Sequence, residues 1–168
     1  MNTSRLELRL GTPDAFRIAV DDRASLAQVL GVTVPDSWPV EHYDDSVREW
    51  CLKALAENPA TIWLLRYVIL RETNTLIGTC GAFKPDEKTV TIGYSILPEY
   101  RRRGYASEAA QALVELGFAQ EGVERVTADT YPELVASIGV MEKCGLSFAG
   151  SGDDEGTIRY EVRRGARC

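Results

Sequence analysis

Three runs in the middle of the chain constrain its fold more than any other feature. Residues 63–71, 75–83 and 89–97 are rich in β-branched and aromatic side chains, which suit a pleated, half-buried surface. Short polar clusters separate them, Glu72-Thr73-Asn74 and Lys84-Pro85-Asp86-Glu87-Lys88. Connections this short join antiparallel neighbours, because a parallel pair needs a crossover of a dozen residues or more. A three-stranded meander is therefore expected. After Pro98 the period changes, and residues 104–120 place Ala106, Ala109, Ala110, Leu113 and Gly117 along one helical face. Residues this small let a helix lie close against a sheet.

The flanking segments extend the same pattern. Residues 5–10, R-L-E-L-R-L, alternate strictly and predict a strand. Residues 15–30 read as one or two short helices ending at Gly31, residues 34–40 as a loop with two prolines, and residues 43–57 as a third helical segment stopped by Asn58-Pro59. Beyond the long helix, a strand is expected over 125–130, a helix over 136–143 closed by Cys144-Gly145, and a last strand over 157–163. The order β-αα-α-βββ-α-β-α-β describes one α/β domain over residues 1–168. Its sheet is mixed and mostly antiparallel, with helices at its flanks.

Charge and cysteine content narrow the function. With 19 Lys plus Arg against 25 Asp plus Glu, the net charge is −6, a sign that repels nucleic-acid backbones and anionic membranes. The longest apolar stretch, 62–70, is cut by Arg66 and is far shorter than a membrane span. The first residues lack the basic-then-apolar pattern of a secretory signal, so a cytoplasmic location is expected. Cys51, Cys80, Cys144 and Cys168 form no C-x-x-C pair and His42 is the only histidine, which indicates neither a metal site nor a disulfide framework.

Chemistry concentrates between residues 92 and 106. A strand runs into Pro98, which cannot donate a ladder bond, so pairing is expected to stop there and free the backbone of Ser95, Ile96 and Leu97. Arg101, Arg102, Arg103 and Gly104 then open the long helix. Its unpaired N–H groups and the positive end of its dipole make an anion site worth about 1–2 kcal/mol before the arginines are counted. Gly104 lets backbone approach a pyrophosphate, and Ala106 keeps the first turn slim. Neither the P-loop pattern nor the G-x-G-x-x-G dinucleotide fingerprint is present.

Arg101-Arg102-Arg103-Gly104-Tyr105-Ala106, preceded by I-G-Y-S-I-L-P-E-Y and followed by a further S-E-A, resembles the acetyl-CoA motif Q/R-x-x-G-x-G/A of the GCN5-related N-acetyltransferases. The branch it is most similar to is that of the ribosomal-protein-alanine acetyltransferases. Glu142-Lys143-Cys144-Gly145-Leu146 is similar to that family's E-K-x-G-F. The resemblance covers residues 62–163 well and the N-terminal part in outline. It departs at Leu134, where the family's N-x-x-S usually begins with Asn. Loss of the hydrogen bond that Asn would make costs about 0.5–1.5 kcal/mol, up to about tenfold in affinity.

The resemblance implies acetyl-CoA as co-substrate, no metal, and direct attack of a primary amine on the thioester. It implies cofactor contacts from Ile96, Leu97, Arg101, Arg102, Arg103, Gly104, Tyr105, Ala106, Ser107 and Ser137. The Ile96 N–H is the expected oxyanion donor and Ser137 the expected hydrogen bond to the leaving thiolate, with a helix-start cap as the alternative role for Ser137. On this reading residues 62–163 hold the cofactor and residues 1–61 select the acceptor, a small molecule or peptide. Trp38, His42 and Tyr94 are the expected acceptor contacts; Tyr43, Trp50 and Trp63 come from the same side, where aromatic residues favour a cation or an apolar side chain, with Trp50 in the core as the alternative. The acidic residues Asp36, Glu41, Asp44, Asp45 and Glu49 nearby suggest a cationic acceptor. A homodimer and a non-catalytic acyl-CoA-binding role are the other readings open at this point.

Overall fold

In the computed structural model, which describes residues 1–165, the alternating start of the chain becomes strand β1 (Leu6–Leu10) with Leu6 and Leu8 fully buried. Cys168 lies outside the described residues. The next stretch divides into α1 (Pro13–Ile18) and α2 (Arg23–Leu30). The division falls where Asp22 accepts the Ser25 amide and so caps the second helix. Helix α3 (Asp45–Glu57) begins later than its apolar pattern suggests, because the Asp44 carboxylate accepts the amides of Ser46 and Val47.

Strands β2 (Leu65–Leu70), β3 (Thr75–Asp86) and β4 (Thr89–Ile96) form the expected antiparallel meander. Strand β3 runs past its expected end at Phe83. Asp86 pairs with Thr89, the irregularity between Phe83 and Asp86 accommodates Pro85, and only Glu87 and Lys88 remain in the turn. After one 3-10 turn at Pro98–Tyr100 come α4 (Tyr105–Ala119), β5 (Arg125–Thr130), α5 (Val135–Lys143), β6 (Ser147–Ser151) and β7 (Ile158–Arg163).

Strand β6 is the element that sequence patterning missed. Its S-F-A-G-S run has no β-branched residue, and Phe148 is exposed. It lies at the sheet edge and is held by backbone pairing to β7, so it needs no buried face and carries no alternation. Among the described residues the sheet has seven strands in the order β1-β2-β3-β4-β5-β7-β6, and of these strand pairs only β4–β5 is parallel.

Each face of the sheet has its own core. Val68, Ala82, Val90 and Ile92 pack with Leu113 and other residues of α4, while Tyr67, Ile69 and Leu76 pack with Phe16 and Leu26 of the N-terminal helices. The α4 contact is close: a Cβ added at Gly117 would stand 3.0 Å from Val126 Cγ2. Leu113, fully buried in this layer, makes the sort of contact whose truncation to Ala costs about 2–5 kcal/mol. Tight packing on both faces holds the central strands β4 and β5 in place, and the site is built between them.

Candidate active site

Strands β4 and β5 pair at only three positions, Thr89–Arg125, Val90–Val126 and Thr91–Thr127. Beyond Thr91 they part, β4 staying with β3 as far as Ile96 and β5 with β7 as far as Thr130. The Leu97 N–H still donates to the Ile77 carbonyl at 2.9 Å. Because antiparallel pairs alternate, that bond turns the N–H and C=O groups of Ile92, Tyr94 and Ile96 away from β3 and toward the opening. This corrects the sequence expectation in one respect. The free edge starts at the Ile92 carbonyl, just past the last β4–β5 pair, and Pro98 does not cause it; the backbone of Ser95 and Leu97 faces β3 instead.

A cavity of about 1160 Å³ occupies the opening. Its walls come from β4, the start of α4, the first turns of α5, and α3 with the loop before it. At one end lies the Arg101–Gly104 loop. Gly104 has φ 81° and Arg102 φ 62°, left-handed conformations that glycine adopts freely and arginine rarely does. They bend the chain so that Tyr105, Ala106 and Ser107 begin α4 with amide groups that have no acceptor inside the helix. Behind the loop, Arg5 Nη1 donates to the Arg103 carbonyl at 2.9 Å and the guanidinium lies 4.6 Å over the Tyr105 ring.

The three arginines have different surroundings. Arg101 Nε donates to the Ile96 carbonyl and its Nη2 pairs with Glu41, both at 2.9 Å, so it ties the end of β4 to the loop before α3. Arg102 is exposed on the cavity wall. Arg103 points to the Tyr100 ring at 6.0 Å and is not part of the lining.

On the opposite wall, the Tyr94 hydroxyl donates to the Ser137 carbonyl at 3.1 Å and lies 3.3 Å from Ser137 Oγ. Burial pushes the Tyr94 phenol up to about 12 against the lowering effect of the Ser137 bond, so it stays protonated at neutral pH. Ser137 does not cap α5. Leu134 holds the cap position without a side-chain bond and is 46% exposed on the cavity wall. Cys144 is buried, with its Sγ 3.5 Å from the Ser107 carbonyl and its thiol pushed up to about 11 by burial, a packing role rather than a nucleophilic one.

Of the residues singled out from sequence, Ile96, Arg101, Arg102, Gly104, Tyr105, Ala106, Ser107, Ser137, Tyr94 and His42 line this one cavity. Leu97, Arg103 and Trp38 do not. Leu97 is fully buried on the N-terminal side of the sheet, and Trp38 is buried with its indole N–H donating to the Ala19 carbonyl at 2.7 Å. Most of the acidic residues before and within α3 are engaged: Asp36 pairs with Arg23, Asp45 with Arg48, and Asp44 caps the helix, while Glu49 is exposed but does not line the cavity. Sequence reasoning missed Gly93, Phe83, Val140 and Lys143 as lining residues. A glycine amid β-branched neighbours was the available signal for the first; the others look like ordinary strand and helix residues.

A second hollow, about 770 Å³ beside the β3–β4 turn, is lined by charged residues that include the Lys88–Glu124 pair. It lies on the far side of the three paired positions. Among the described residues no group of three or more His, Cys, Asp or Glu could hold a metal ion, and no helix is long and apolar enough to cross a membrane.

A sheet with one parallel junction that opens into a cavity, with a helix N-terminus and a basic loop at its mouth, defines a fold for which the comparisons give the family. Residues 5–147 match the model of the acetyltransferase (GNAT) domain, and the chain belongs to that family. The Bacillus subtilis (strain 168) protein YnaD, named as an uncharacterized N-acetyltransferase, is 43% identical over 84 residues, 49% of each chain. The chain thus spans about half the length of that curated relative. A crystal structure of a GNAT-family acetyltransferase from Bacillus anthracis superposes with a TM-score of 0.66 at 26% identity, covering 97% of both chains. The ribosomal-protein-S5-alanine acetyltransferase of Vibrio fischeri shares the fold, with a TM-score of 0.70 at 15% identity over 99% of this chain and 97% of that one.

Proposed function

We propose that the chain transfers the acetyl group of acetyl-CoA to a primary amine, on a small molecule or at a peptide N-terminus. The observation that carries this reading is the free β4 edge meeting an anion-receptive helix start inside one cavity. An extended arm with amides at strand-like spacing can pair with the backbone of Tyr94 and Ile96, while a pyrophosphate is held by Arg102 and the amides of Gly104 to Ser107. Acetyl-CoA has both parts. The residues present fit it, and no metal is required.

In the transfer, the amine attacks the thioester carbonyl carbon, an oxyanion forms, and the C–S bond breaks. The proton that the amine gives up is balanced by the one the thiolate takes, leaving an amide and CoA. The Ile96 N–H, fixed in a strand and aimed at the opening, is placed to stabilise the oxyanion with little reorganisation. Ser137 Oγ donates toward the sulfur, and Tyr94, kept protonated by burial, orients Ser137 from behind. Arg101 holds the strand end in register. Residues 62–163 carry the cofactor side, and α3 with its preceding loop, through His42, closes the acceptor side.

Calorimetric titration with acetyl-CoA and CoA, followed by a free-thiol release assay on amines and peptide N-termini, tests the reading. Binding with amine-dependent thiol release is expected. No binding would overturn the cofactor assignment, and binding without release across the panel would overturn the transferase assignment in favour of a non-catalytic acyl-CoA-binding protein.

A further inference from the structure

Gly93 lies in the middle of the central strand β4, between Ile92, which is buried, and Tyr94, yet it is exposed. Its partner in register across β3 is another glycine, Gly81. A Cβ added at Gly93 would meet nothing within 4 Å, and Gly93 has no left-handed φ that would require glycine. Backbone geometry therefore does not explain the residue. What the glycine does is leave the cavity floor flat.

Alternation places Gly81, Gly93 and Phe83 on the face of the sheet toward α3, because Ala82 and Ile92 belong to the core on the α4 side. Two large aromatic residues stand there without cover. Trp50 of α3 is 45% exposed and Phe83 is 40% exposed, and their rings meet edge to face at 6.4 Å. Both line the cavity, together with Val47 and Leu65. The charge in this half is already matched. Glu41 is the only carboxylate among the described lining residues and pairs with Arg101, and the Tyr43 hydroxyl bonds Tyr67. A polycation would find no unpaired carboxylate among the described lining residues, whereas a flat apolar group would remove exposed aromatic surface from water.

We infer that the acceptor is a primary amine bearing a flat apolar or aromatic group, which lies on Gly93 against Trp50 and Phe83. This rests on the transferase reading above and replaces the cationic acceptor that the acidic sequence around α3 suggested. Gly93 and Trp50 become specificity-determining residues of the acceptor half.

The test compares 2-phenylethylamine, ethanolamine and spermidine as acceptors, and separately titrates 2-phenylethylamine into CoA-saturated protein by calorimetry. We expect kcat/KM for 2-phenylethylamine to exceed that for ethanolamine by about tenfold or more, the discrimination that an apolar pocket commonly provides. Gly93→Val, which fills open space, and Trp50→Ala, which removes the exposed wall, each lower that ratio by about tenfold. Acetyl-CoA titration of each variant reports whether it is folded. Preference for ethanolamine or spermidine, or an unchanged ratio in both folded variants, overturns the inference and leaves the transferase reading intact. Calorimetric binding of 2-phenylethylamine without turnover of any amine supports the apolar floor and overturns the transferase reading. Absence of both binding and turnover overturns both.

Discussion

Replacing Glu108 with Gln tests whether the residues just before β1 brace the start of α4. The carboxylate sits in the first turn of α4, and its two oxygens divide the work. Oε1 accepts from Thr3 Oγ1 at 2.5 Å, Ser4 Oγ at 3.0 Å and the Arg5 amide at 2.8 Å, and Oε2 accepts from Arg5 Nε at 2.7 Å. Burial works to raise the Glu108 carboxyl, but the bonds from Thr3, Arg5 and Ser4 outweigh it and bring it from 4.5 down to about 2. That difference corresponds to about 3 kcal/mol. The Glu108 side chain is only 14% exposed but that of Arg5 is 46% exposed, and solvent screening on the Arg5 side reduces the figure to about 2 kcal/mol. Gln offers an oxygen without charge to the first three donors and sets an NH₂ against Arg5 Nε, so the charge-assisted part of all four bonds is lost together with the ion pair. A carboxyl depressed in the folded state stabilises above its unfolded value and loses that contribution as pH falls from about 4.5 toward 2. Urea unfolding of both proteins at pH 7, 5, 4 and 3 should show a gap of about 2 kcal/mol at pH 7 and pH 5 that narrows steadily at pH 4 and pH 3. A gap of equal size at pH 7 and pH 3, or none at pH 7, would refute the argument.

Three further outcomes follow from the site. Gly104→Glu should abolish acetyl-CoA binding by calorimetry while circular dichroism stays unchanged, since it puts a side chain at φ 81° and a negative charge at the anion site; unchanged affinity would remove the pyrophosphate assignment. Ser137→Ala should lower kcat by about tenfold with little change in the KM for acetyl-CoA, as expected for a hydrogen bond made chiefly to the leaving sulfur; an equal rise in KM with constant kcat would make Ser137 a binding residue instead. Leu134→Asn should tighten acetyl-CoA binding by up to about tenfold if an amide at the start of α5 reaches the cofactor, and weaker binding in the titration would show that the apolar side chain on this wall is itself a contact.

The parts of the fold legible in sequence were those with a period. The β2–β4 meander announced itself through β-branched residues and short turns, and α4 through its small apolar face. The basic loop was legible because Arg101 to Gly104 combine charge with a residue free to adopt positive φ. Three features were not. Strand β6 buries too little to alternate. The Glu108 network joins residues about a hundred positions apart, and nothing local to Thr3, Ser4 or Arg5 marks them as partners of α4. Trp50 sits on a helical stripe with Val47 and Cys51, a pattern that leaves core and acceptor contact both open for it, and only Cys51 is fully buried. A stripe shows which side of a helix is apolar. It does not show whether a neighbour covers that side.

The place where the sheet opens was hidden for a related reason. Each of the two strands that part keeps a complete partner on its other edge, β3 for β4 and β7 for β5, so both retain ordinary strand composition and neither needs a breaker. The cost of parting is confined to backbone groups on one edge of each, and a buried unmet donor or acceptor costs about 1–3 kcal/mol. An open cavity admits water, which can meet that need, and on the proposed reading the amides of an extended ligand would replace it. The same geometry separates the two substrates. On the proposed reading, the edge of β4, through the backbone of Tyr94 and Ile96, would serve the arm that carries the acyl group, while the α3 face of the same strand, bare at Gly93, would serve the amine. A side chain added at Gly93 would therefore obstruct one partner and spare the other. That makes this glycine the position at which acceptor choice can change without rebuilding the cofactor site.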